Sequence, residues 1–252
     1  MSTIRRFNFL KGSVFLAAAV AAMALGPAPA EAVMISFATP TGATVGGGPV
    51  SARADITTSN GSVSITLTDL LANPTDVGQL ISDFFFTVAN GNLTGSSQTG
   101  ASAQEITVNS NGSTTLGPVL NTVAAVDWAY SSTATTGLLD VLGPGAAGPA
   151  HLIIGPPGPG GIYSNANGSI AGNGPHNPFL NQTASFTITA PGVTAATTIS
   201  SVVFSFGTTS GVNVPGVPVP TAVPEPSGFA MASMGTLLGL GFAWRKRKRA
   251  VA

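Results

Sequence analysis

Residues able to do chemistry are few in this 252-residue chain, and they sit far apart. No cysteine is present, which excludes thiol catalysis, zinc thiolates and disulfides. Residues 33–222 hold no lysine, so Schiff-base and amine chemistry are absent from that stretch. Asp140 and His151 offer two members of a Ser-His-Asp triad, with a distant serine as the third. Such loose Asp–His separations arise by chance in a chain this long. His151, ahead of Leu152-Ile153-Ile154, reads instead as a strand-end histidine, and His176, between Pro175 and Asn177, as a loop residue. Asp69, Asn73 and Asp76 offer oxygens to a calcium ion, but the spacing is not an EF-hand loop and Asn73-Pro74 accounts for itself as a turn. Trp128 and Tyr130, two apart, fall on one face of a strand and would either stack on a sugar or pack in a core. No Gly-x-Ser-x-Gly elbow and no His-Glu-x-x-His helix occurs. Gly46–Gly48 and Gly155–Gly161 lack the Lys and Ser/Thr of a phosphate loop. The expectation is a domain that is not an enzyme and uses no metal and no cofactor.

Charge narrows the partners. Charged residues make up 7% of the chain, against roughly 25% in an ordinary globular protein. The formal net charge of zero hides an uneven layout, because most Lys and Arg lie near the two ends. Residues 33–222 keep Arg53 alone against Asp55, Asp69, Asp76, Asp83, Glu105, Asp127 and Asp140, a formal charge of −6. One cation cannot neutralise a phosphate backbone, so nucleic acid is excluded as a partner of this region. Asn60, Asn92, Asn111, Asn167 and Asn181 each open an Asn-x-Ser/Thr triplet, as expected in a chain this rich in Asn, Ser and Thr.

The elements that must position these residues follow a period of two. Val63–Thr68 and Ala184–Thr189 alternate apolar and polar without a break, and Ile199–Phe206 ends the same way. Shorter strand candidates are Met34–Ala38, Ala52–Thr58, Phe84–Ala89, Ile106–Asn109, Val123–Tyr130 and His151–Ile154. Asn60-Gly61 and Asn90-Gly91 are hairpin-type turn signals. Val77–Asp83 is the one helix candidate. Without alternating helices a parallel βαβ sheet is disfavoured, and an all-β antiparallel β-sandwich over residues 33–213 is the expected fold. Gly143–Gly148, Gly155–Gly161 and Asn165–Asn181 read as long loops on it.

Both ends read as addresses. Arg5, Arg6 and Lys11, the apolar run Gly12–Leu25, and Ala30-Glu31-Ala32 are the three components of a signal peptide over residues 1–32. Cleavage is expected after Ala32, with Ala28-Pro29-Ala30 as the competing site. The secretion translocon and signal peptidase are the partners this implies. Arg5-Arg6 also raises twin-arginine export, but Phe9-Leu10-Lys11 sits one residue far from the arginines, which favours the general secretory route. At the other end, Ser227–Trp244 runs 18 residues without a charge, about the length of a short membrane helix. Arg245, Lys246, Arg247, Lys248 and Arg249 follow at once and hold that end in the cytoplasm, which puts the preceding domain outside. Val223-Pro224-Glu225-Pro226 stands just before the span as a rigid extended peptide. Residues 214–222, opening Val214-Pro215-Gly216-Val217-Pro218-Val219-Pro220, read as a Pro-rich spacer that lifts the domain off the membrane.

Pro-Glu-Pro, a short apolar span and a basic cluster, in that order, resemble the PEP-CTERM sorting signal of Gram-negative bacteria, over residues 223–249. The resemblance implies recognition by exosortase, a membrane enzyme with a catalytic cysteine found in bacteria that make exopolysaccharide and biofilm. It implies that Pro224, Glu225 and Pro226 are recognition residues of a substrate. The chemistry belongs to the partner. Ile65–Phe86 and Phe204–Gly216 are also similar to segments of PEP-CTERM proteins, and this likeness implies no substrate and no functional residues. The functional expectation is an exported surface or matrix protein that passes through an inner-membrane intermediate, with a carbohydrate-binding module as the alternative.

Overall fold

Alternation of buried and solvent-facing residues builds the fold. In the computed structural model, which describes residues 32, 34–164, 168–209 and 211–220, β4 (Ala52–Ser59) and β5 (Ser62–Asp69) bury every second side chain. Ala54, Ile56, Val63, Ile65 and Leu67 point inward, while Thr57, Ser64 and Thr66 face out. β1 (Met34–Ala38) pairs with β4. A two-residue hairpin of β2 (Thr44–Val45) and β3 (Gly48–Pro49) lies between them in the chain. β6 (Ile81–Ala89) carries Phe84, Phe86 and Val88 inward. β7 (Ser97–Val108) and β8 (Thr114–Leu120) form an antiparallel pair, and α1 (Val123–Val126) follows. β9 (Ala129–Ser132), β10 (Thr136–Asp140), β11 (Ile153–Ile154), β12 (Phe179–Thr189) and β13 (Thr198–Phe206) come next. β14 (Asn213–Pro215) and β15 (Val217–Val219) end the described chain.

The protein is all-β, and its 13-stranded sheet folds around one core in two halves. The first half is β9, β10, β6, β13 and β14; the second is β8, β7, β12, β5, β4, β1 and β15. β11 joins them, Ile153 pairing with Ile81 of β6 and with Leu180 of β12. The β11–β12 pairing is parallel, and every other pairing in this sheet is antiparallel. Hydrogen bonding is thus continuous between the halves, where the sequence pattern suggests two separate antiparallel sheets.

A second seam joins the halves at their far edge. β14 pairs with β13 in the first half, and β15 with β1 in the second. Gly216 alone separates them, and its N–H donates to the Val202 carbonyl at 3.0 Å. A β-carbon on Gly216 would collide with Val202, so only glycine allows this crossing. Val214–Pro220, expected as a free spacer, is therefore a strap built into the sheet. Pro215 and Pro218 are tolerated because β14 and β15 lie at the ends of the sheet path. Val219 lies opposite Ser36, so the two ends of the described fold sit side by side.

Three further segments differ from their expected elements. Val77–Asp83 is not a helix: a 3-10 turn, Val77–Gln79, capped by Asp76, is followed at once by β6. Val123–Tyr130 is not one strand, because α1 occupies its first half and β9 starts only at Ala129. At His151–Ile154 only the last two residues pair, since His151 has a positive φ of 60°.

Ala32 is exposed. Ala30, Val223, Pro224, Glu225, Pro226, the expected span 227–244 and Arg245–Arg249 lie outside the described residues. No helix among the described residues is long and apolar enough to cross a membrane.

Candidate functional site

Asp140 and His151 are not brought together. Asp140, at the end of β10, accepts the Leu142 N–H at 2.7 Å and stands opposite Asp83 on β6. The His151 ring faces the Val126 carbonyl through Nδ1 at 3.0 Å and Glu105 Oε1 through Nε2 at 3.3 Å. Both ring nitrogens are thus engaged, and neither by a serine. The Glu105 partner lies 46 residues away and gives no local signal.

The three oxygens considered for calcium serve three separate turns. Asp69 is buried, and its Oδ1 accepts the Leu71 N–H at 2.9 Å. Burial pushes its carboxyl well above the usual carboxylate range, while N–H groups of Leu71 and Gly155 pull the other way. Asn73, at φ 54°, accepts the Ser164 N–H at 2.8 Å. Asp76 accepts the Gly78 N–H at 2.7 Å and, with Gln79, forms a capping box. Among the described residues, no group of three or more His, Cys, Asp or Glu side chains is gathered for a metal. His176 is in a loop, its Nδ1 buried without a partner, and burial lowers its pKa.

Trp128 and Tyr130 lie at a groove, though not as two residues of one strand. Thr122 caps α1, its hydroxyl accepting the Ala125 N–H at 3.1 Å. Asp127 ends the helix in the left-handed conformation, φ 57° and ψ 41°, with its N–H on the Val123 carbonyl. That reversal turns Trp128 into the core. Its ring is 1% exposed and sits 5.2 Å from the Phe186 ring, and its Nε1 donates to the His151 carbonyl at 2.9 Å. Trp128 is thus core, leaving no free indole face to stack on a ligand. Tyr130, on β9, is half-buried, and its hydroxyl pairs with Ser96 Oγ at 2.9 Å. Ser96 Oγ also reaches Ser132 Oγ at 3.1 Å.

Around these residues opens a groove of about 590 Å³, within the range of small-ligand sites. Ser97 and Gln98 from β7, Ala124, Asp127, Tyr130 and the edge of the buried Trp128 are among its lining residues. The β7 residues could not have been assigned to it from sequence, since they lie about thirty positions from Tyr130.

Comparison with known families gives one finding. Residues 222–248 match the PEP-CTERM protein-sorting motif. The match covers the Pro-Glu-Pro peptide, the apolar run and four of the five basic residues, and it supports an exosortase-sorted protein exported to the cell envelope or surface. No curated protein and no solved structure matches the chain.

Proposed function

We propose that this chain is a structural component of an exopolysaccharide or biofilm matrix, delivered through its tail. Its exported part is a β-sandwich that carries no catalytic activity of its own. The observation that carries this reading is the sorting motif at residues 222–248, following directly on a β domain poor in charge. In this reading the translocon and signal peptidase act first, with cleavage after Ala32. The span at 227–244 then holds an inner-membrane intermediate, oriented by Arg245–Arg249. Exosortase reads Pro224, Glu225 and Pro226, and the mature protein reaches the surface or matrix of a Gram-negative cell.

The test is fractionation and immunoblotting in paired hosts with and without exosortase. Glu225→Ala is expected to leave insertion intact but block processing, so that full-length protein builds up in the inner membrane. Replacing the five basic residues with Gln should instead weaken orientation and let the tail slip outward. Equal size and location of wild type and Glu225→Ala in both hosts would show the tail to be a plain anchor.

The second reading is a carbohydrate-binding module. The groove beside Tyr130 favours it, since Ser96, Ser97, Gln98, Asp127 and Tyr130 line the same concavity as Val123, Ala124 and Ala129.

A further inference from the structure

We infer that the groove between α1, β9 and the start of β7 is a binding site for a neutral saccharide, with Gln98, Asp127 and Tyr130 as its polar contacts. The inference rests on the carbohydrate-binding reading above and gives it a place.

Gln98 points to a ligand. Its residue lines the groove, yet both amide atoms are shut off from water and have no hydrogen-bond partner. A buried unpartnered amide is destabilising and rare in folded proteins. Rotation of that side chain into the concavity would pair both atoms with a ligand that supplies a donor and an acceptor. A vicinal diol does so.

Charge decides the ligand class. The one ionisable side chain of ordinary pH range among the lining residues is the Asp127 carboxylate, and no cation lines the groove. Phosphorylated, sulfated or uronate ligands would meet repulsion there with no compensating partner. A neutral polyol instead donates its hydroxyls to Asp127. The backbone reversal at Asp127, φ 57°, costs strain in a non-glycine residue and sets the carboxylate at the groove edge.

Tyr130 and the apolar lining complete the match. The Ser96 hydroxyl, itself tied to Ser132, holds the Tyr130 hydroxyl at 2.9 Å and so fixes the phenol in advance of binding. Val123, Ala124 and Ala129, also on the lining, offer the apolar surface on which the C–H face of a sugar ring packs, with Trp128 buried beneath them. Donors, acceptors and apolar surface without cations are what a neutral sugar presents in mirror form.

The test uses the full-length chain in a detergent without a sugar headgroup, titrated with cellohexaose, maltohexaose, laminarihexaose and chitohexaose, and with an oligouronate. Binding of at least one neutral oligosaccharide is expected, with the oligouronate at least tenfold weaker. Gln98→Leu should weaken binding at least tenfold while leaving the melting temperature unchanged or higher, because an unsatisfied amide is removed. Asp127→Asn, which tolerates the left-handed conformation, should weaken binding similarly without unfolding. Equal affinity of wild type and both variants would overturn the groove assignment and leave the carbohydrate reading standing. No binding of any neutral oligosaccharide overturns both, and preference for the oligouronate overturns the neutral class.

Discussion

The two halves of the sheet enclose the same core with opposite materials. The β6/β13 half brings rings: Phe84, Phe86, Phe204 and Phe206 are all buried, and the Phe84 and Phe204 rings lie 5.3 Å apart. The β4/β5/β12 half brings mostly small and aliphatic chains, Ala52, Ala54, Ile65, Leu67, Ala184 and Ile188, with Phe179 and Phe186 of β12 as the exceptions. Large side chains facing small ones let two layers interdigitate at native density. Their outer faces differ as well. The aliphatic half is covered by hydroxyl pairs, Thr66–Ser185 at 3.1 Å, Thr68–Thr183 at 3.4 Å and Thr99–Thr189 at 3.0 Å. The aromatic half carries Asp140 and Asp83 directly opposite each other. One outer face thus carries hydroxyl pairs and the Arg53–Asp55 ion pair, and the other carries two like charges opposite each other.

The largest effects should come from the rings. Phe204→Ala is expected to cost about 3–5 kcal/mol in urea unfolding, against about 0.5–1.5 kcal/mol for Ile65→Val in the facing half. Equal costs would erase the contrast. Gly137 tests how tightly the aromatic half is closed, because a β-carbon there would run into the Phe86 ring. Gly137→Ala should cost about 1–3 kcal/mol, and a neutral result would show that the ring can move aside.

The acidic pair gives a pH dependence. Burial raises the Asp83 pKa to about 6, with Asp140 beside it adding to the shift and the Ser205 hydroxyl opposing it. A carboxyl that binds its proton more tightly when folded stabilises the fold at acid pH, and this is lost as pH rises from the ordinary carboxylate value through about 6. Asp83→Asn should therefore raise the urea midpoint above pH 7 and give no gain near pH 4. An equal gain at both would separate the effect from titration. The smallest change is expected on the hydroxyl face, where Thr66→Val should shift stability by at most about 0.2–1 kcal/mol.

Legibility followed burial rather than the division between the halves. Val63–Thr68 and Ala184–Thr189 are readable because each has one face in the core and one in water, and a period of two follows from that. β8 is not, because it lies at the sheet edge and exposes Leu116 and Val119, so burial writes no alternation into it. The apolar residues of Val123–Tyr130 suggest a strand, but the Thr122 cap and the reversal at Asp127 outweigh β-propensity over so short a run. The prolines of Val214–Pro220 suggest a free spacer, because register with β13 and β1 is a property of strands far off in sequence. The groove is half legible: Trp128 and Tyr130 announce aromatic chemistry, while Ser96, Ser97 and Gln98 reach it only through tertiary structure.

The strap has a mechanical consequence. Tension entering at Pro220 meets β15 first, at the edge of the second half, where Val219, Pro218 and Val217 face β1. These contacts separate in succession rather than together, each hydrogen bond contributing only about 0.5–1.5 kcal/mol. The Gly216 bond to Val202 follows, then the three pairs of β14 with β13. Seven residues at roughly 3.3 Å each would release about 23 Å of slack before the load reaches the phenylalanine core. A domain tethered through this end would yield at its hem and keep its body folded, and a force–extension trace pulled from the C-terminal side should show that short, low-force step ahead of the main unfolding event.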